Sequence, residues 1–71
     1  MNVESLAQAA YQELLSRLLD GRLRPGDVID RKAVARELGM SMSPVMEALG
    51  QLAGEGMVEI LPRRGTRVRT V

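Results

Sequence analysis

The chain has 71 residues, ten Lys/Arg against nine Asp/Glu, and a formal net charge of +1. It contains no His and no Cys, which excludes a Ser-His-Asp triad, a thiol nucleophile, a zinc ligand set and a disulfide framework. With 45% hydrophobic and 27% charged residues, it has the balance of one small globular domain rather than a disordered segment.

The apolar runs are only a few residues long, far short of a membrane span. The N-terminus shows no basic-then-apolar order, so neither a signal peptide nor a membrane partner is expected, and the location fits a reducing cytoplasm. The first helix is predicted over Val3 to Leu19. Leu6, Ala10, Leu14 and Leu18 recur at four-residue spacing, and Val3, Ala7 and Leu15 widen the stripe. Asn2 and Ser5 are possible N-caps, and Glu4 suits the positive end of the helix dipole. Asp20-Gly21 stops the helix. Pro25-Gly26 marks a turn, and Val28-Ile29 is at most a stub of strand.

Asp30 is the expected N-cap of a second helix running to about Leu38, with Ala33, Val34, Ala35 and Leu38 on its apolar face and Gly39 as its stop. A third helix follows. Ser41 can cap it, or Ser43 can, with Pro44 then at the first helical position where its missing N–H is harmless. Val45, Ala48, Leu49, Leu52 and Ala53 follow at spacings of three and four, and Gly54 closes the run near Gly56. Two short helices joined by a tight turn containing Gly have the form of a helix-turn-helix. Met57 to Leu61 is strand-like and Pro62-Arg63-Arg64-Gly65 reads as a turn. Thr66 to Val71 alternates with period two, Arg67, Arg69 and Val71 on one face and Val68 on the other. The predicted architecture is mainly α with a β component: three helices followed by a two-stranded hairpin, in a single domain over 1–71.

This order, and the residues at its joints, resemble the N-terminal winged helix-turn-helix domain of GntR-family bacterial repressors, in particular the FadR-type branch. The resemblance is carried by Gly21-Arg22-Leu23-Arg24-Pro25-Gly26-Asp27, by Val34-Ala35-Arg36-Glu37-Leu38-Gly39 and by Ser41 through Leu49. Leu52-Ala53-Gly54-Glu55-Gly56-Met57-Val58 and Pro62-Arg63-Arg64-Gly65-Thr66 complete it. It implies a module that binds double-stranded DNA and is homodimeric in the full-length protein. The third helix would enter the major groove, and the wing hairpin would reach the minor groove or backbone. A small-molecule effector would act only through a second domain, absent from this chain, and no cofactor is expected. Thr70-Val71 lies where a family linker would begin, which favours an excised domain over a naturally short protein.

One departure bears on readout. The family motif carries Arg two residues before and two residues after the Pro; here those positions are Met42 and Met46. Met cannot supply the bidentate hydrogen bonds of Arg to guanine. From Gly39 through Glu59 there is no Lys or Arg, while Glu47, Glu55 and Glu59 are present.

The candidate DNA contacts are Lys32, Ser41, Met42, Ser43, Pro44, Met46, Arg63, Arg64, Gly65 and Arg67. Arg63, Arg64, Arg67 and Arg69 give the last segment four cations. They serve phosphate or minor-groove contact, or simply discourage edge-to-edge strand pairing. Gly65 allows the turn and a close backbone approach to DNA. Lys32 stands, by resemblance, where the FadR-type branch has a DNA-contacting Arg; with Arg31 and Arg36 it otherwise forms a solvated basic face. Ser41 or Ser43 can cap the third helix and donate to a phosphate. Gln51 is expected to face solvent, and Tyr11 to reach a phosphate or to pack.

Met42 and Met46 share a helix face, and three readings stand open. They touch thymine methyls, meet a protein or a second copy of the domain, or complete the core. The core reading ranks last, because Val45, Ala48, Leu49 and Leu52 already supply an apolar face. The competing functional class is therefore a winged-helix interaction or dimerisation module using that Met face. An enzyme is not expected: no phosphate-cradling loop or closed carboxylate pocket is present in the pattern.

Overall fold

A computed structural model describes the backbone of residues 3–70 and the side chains of residues 6–70. The possible caps Asn2 and Ser5, the dipole role of Glu4, Val3 in the apolar stripe and the placement of Val71 lie outside that description. The elements in order are α1 (Val3–Leu19), β1 (Val28–Ile29), α2 (Arg31–Leu38), α3 (Met42–Gly54), β2 (Val58–Leu61) and β3 (Gly65–Val68).

The helices end where local chemistry requires. Asp30 caps α2, its carboxylate accepting from the Ala33 N–H at 3.1 Å, which satisfies one of the orphan donors of the first turn. At the other end Gly39 takes the left-handed conformation, φ 66°. Its N–H donates to the Arg36 carbonyl, and the Met40 N–H donates to that of Ala35. This paired closure is a Schellman motif, and it turns the chain within three residues toward α3. The same motif closes α3: Gly56 at φ 80° donates to Ala53, and Met57 donates to Leu52. Gly56, rather than Gly54, is thus the residue whose missing Cβ ends the helix.

Ala10 and Leu14 of α1 meet Val34 and Ala35 of α2 and Val45, Ala48, Leu49 and Leu52 of α3 in one buried cluster. Ile29, Val58 and Val68 close it from the sheet. Helix α3 is the hub, packed on α1, α2 and β2. The Arg17 guanidinium ties α1 to α2, donating to Glu13 at 2.8 Å while its Nη1 lies 2.9 Å from Glu37.

The sheet has three strands in the order β1-β3-β2, all antiparallel. The stub after the first helix is therefore a true strand: Val28 pairs with Arg67 and Ile29 with Thr66. This places β3 in the centre, with Thr66 flanked by Ile29 and Ile60. Thr66 is only 1% exposed and its hydroxyl has no hydrogen-bond partner. A buried unpaired hydroxyl costs about 1–3 kcal/mol relative to an apolar group of the same shape. Thr66→Val is expected to raise stability by about 1 kcal/mol, seen as a higher midpoint in urea with an unchanged slope.

Tyr11, the one aromatic residue, links α1 to the end of α3, its hydroxyl donating to the Glu55 carboxylate at 2.7 Å. It makes the packing contact rather than pointing free. That hydrogen bond, followed by desolvation and the Glu55 charge, holds the phenol above its ordinary pKa. Because the folded value is raised, the contribution to stability is complete below the unfolded value and is lost as pH rises through the folded one. A phenolate absorbance titration is expected to show a midpoint above that of free tyrosine, and Glu55→Ala should return it toward normal.

Candidate nucleic-acid interface

Ser41 caps α3 in extended conformation, but its side chain makes no capping hydrogen bond, leaving the hydroxyl exposed and free. The helix thus starts at Met42, two residues before the alternative register. Pro44 consequently falls at the third helical position, where its missing N–H is still harmless, and its ring is buried in the core face. It is a packing residue and offers no side-chain surface to a ligand. The exposed strip of α3 carries Ser43, Glu47, Gly50 and Gln51.

Met42 and Met46 are both half-buried. Met42 packs against the edge of the core cluster, the role that ranked last from sequence and one that a flexible thioether side chain suits. Met46 has a different neighbour. The Arg31 guanidinium reaches it from α2, Nη1 donating to the sulfur at 3.2 Å.

The wing is built on a tight turn. The Arg64 N–H donates to the Leu61 carbonyl at 3.2 Å, Pro62 occupies the second position and Arg63 takes φ 62° at the third. This is the type II pattern, whose third position favours Gly. Arg63 is the only non-glycine residue with positive φ among the described residues. Keeping Arg there costs backbone energy, the kind of local strain that gathers at functional sites. Gly65, at φ 86°, opens β3 opposite Leu61. Arg63 and Arg64 are exposed at the tip.

The other two wing arginines are placed elsewhere. Arg67, in the central strand, is half-buried and lies 3.4 Å from Glu59 on β2, so its charge is balanced across the hairpin. Arg69 follows β3, about 13 Å of strand away from the tip. It lines an apolar groove with Leu18, Leu19 and Met57.

The distribution of ion pairs resolves the low net charge. Arg17 and Arg22 are engaged by Glu13, Asp20 and Glu37, at α1 and its C-terminal turn. Asp20 is held below the ordinary carboxylate range, first by the Arg22 backbone N–H and then by its side chain. Among the described residues, no carboxylate pairs with Arg31, Lys32, Arg36, Arg63 or Arg64. Arg24 and Arg69 are likewise outside these ion pairs, as are Asp27, Asp30, Glu47 and Glu55, so α2 and the wing tip keep unpaired cations while the exposed strip of α3 keeps Glu47. Sequence patterning alone missed Arg31 as a group belonging to α3.

The model of bacterial regulatory proteins of the gntR family matches residues 6–68. The chain belongs to that family. It is a DNA-binding domain of the GntR winged-helix type, with its helix-turn-helix formed by α2 and α3. An HTH-type transcriptional regulator of Mycobacterium tuberculosis is 46% identical over 52 residues, 73% of this chain and 21% of that protein. Lar of Listeria monocytogenes, which controls expression of the agr system, superposes with a TM-score of 0.83 at 28% identity, over 90% of this chain and 30% of Lar. A GntR-family regulator from Pseudomonas syringae gives the same TM-score at 24% identity, over the whole chain and 30% of its own, which supports the fold. This GntR-type chain therefore spans between a fifth and a third of the length of these relatives.

Proposed function

We propose that this GntR-type domain binds double-stranded DNA with α3 in the major groove and the β2–β3 wing tip on the backbone or minor groove. It acts as one half of a homodimer, in a cytoplasmic regulator whose remaining part binds a small-molecule effector. The Gly21–Asp27 joint and the Ser41–Leu49 run support its assignment to the FadR-type branch. The observation that carries the reading is the partition of charge. Unpaired cations stand on α2 and at the wing tip, while Glu13, Asp20 and Glu37 are tied to Arg17 and Arg22. Lys32, Ser41 and Ser43 are exposed and suited to phosphate, and Arg63 and Arg64 to the backbone beside the wing.

A titration of labelled mixed-sequence duplex at several salt concentrations tests this. Neutralising about four phosphates per domain predicts a slope of roughly −3 to −4 in log affinity against log salt. No binding at low salt overturns the proposal. The competing reading, an interaction module using the Met42/Met46 face, loses support from the half-burial of both side chains and the Arg31 contact on Met46.

A further inference from the structure

The first turn of α2 contains no acidic residue and begins with two cations, Arg31 and Lys32, at the positive end of the helix dipole, where cations are unfavourable. Lys32 is exposed to solvent, whereas Arg31 is half-buried and directed. It spans fifteen positions of sequence to reach the second turn of α3, where its Nη1 donates to the Met46 sulfur at 3.2 Å. A thioether is a weak, uncharged acceptor. It orients the guanidinium without neutralising it. Among the described residues no carboxylate lies within ion-pair distance of Arg31, and its other N–H groups have no acceptor.

The α3 helix has no Lys or Arg of its own, and its exposed strip bears Ser43, Glu47, Gly50 and Gln51. A guanidinium resting on its second turn travels with it into any groove it enters. We infer that Arg31 is the specificity-determining cation of this domain: anchored on Met46, it reads a guanine edge in the major groove on behalf of α3. Arg pairs bidentately with guanine O6 and N7, the commonest specific contact to a base. Met46 is the positioning residue, restricting a long side chain to the orientation the contact needs. The inference rests on the major-groove placement of α3 proposed for this domain.

The test is selection of bound duplexes from a randomised pool by the 71-residue chain, by Arg31→Gln and by Met46→Leu, with helix content and melting of each variant measured alongside. The wild-type pool is expected to fix a guanine at one position per half-site. Arg31→Gln should lose that preference and bind the selected duplex ~10-fold or more weakly, with little change against a scrambled duplex. Met46→Leu keeps the volume but removes the acceptor, so it should relax the same position with a smaller loss. An Arg31→Gln pool with the same guanine overturns the inference, as does an equal loss on selected and scrambled duplexes, which marks a phosphate contact. A Met46→Leu pool identical to wild type overturns the anchoring. If the wild-type chain enriches no duplex, the DNA-binding proposal itself fails, an outcome distinct from all of these.

Discussion

Replacing Leu49 by alanine is expected to remove about half of the domain's stability. Leu49 is fully buried on α3, the helix that packs on α1, α2 and β2 together, so no single neighbour can collapse into the space left behind. Truncating such a leucine costs about 2–5 kcal/mol through lost transfer energy and the residual cavity. A chain of this length has a total stability of roughly 4–10 kcal/mol. A mid-range loss lowers Tm by roughly 15–25 °C, given about 4–8 °C per kcal/mol in small domains. Calorimetry or a far-ultraviolet melt checks this. Leu19→Ala is the control: Leu19 is 76% exposed, and its truncation should move Tm by only a degree or two. Equal shifts for the two variants would contradict the hub role given to α3.

The same helix shows what sequence could and could not reveal. Its buried positions Val45, Ala48, Leu49 and Leu52 were legible because their spacing follows the helical period, and helix packing only has to satisfy that stripe. The stop of α2 at Gly39 was legible because an αL position selects glycine. Where α3 begins was ambiguous between Ser41 and Ser43. The two starts place Pro44 at the third helical position or at the first, whereas its burial follows from the four-residue spacing to Ala48 and Leu52. The strand β1 could not be seen as more than a stub. Two residues show no alternation, and their partners Arg67 and Thr66 lie far along the chain. The Arg67–Glu59 pair follows from the hairpin register and was legible only once the turn was placed at Leu61–Arg64. Arg31 on Met46 depends on the crossing of α2 over α3 and on one side-chain rotamer, neither of which leaves a periodic trace.

The wing carries the largest expected effect on binding. The double variant Arg63→Ala, Arg64→Ala should weaken binding to mixed-sequence and selected duplexes by the same factor, roughly 10- to 100-fold at moderate salt. It should also flatten the dependence of log affinity on log salt by about 2, one released counterion for each lost phosphate contact. Both side chains are exposed at the tip and free of carboxylates, so their removal breaks no internal interaction. Removing Arg67 provides the contrast. Its charge is already partly spent on Glu59 at 3.4 Å, so Arg67→Ala should change the salt slope by much less than one while costing the sheet its cross-strand pair. Arg63 adds an independent check, because its φ of 62° is strained for any residue with a Cβ. Arg63→Gly relieves that strain and is expected to stabilise the fold by about 1 kcal/mol even as it weakens DNA binding. Stability and affinity moving in opposite directions at one residue would identify Arg63 as a side chain kept for contact. If Arg63→Gly instead raised Tm and left the salt slope unchanged, Arg63 would have no part in holding DNA.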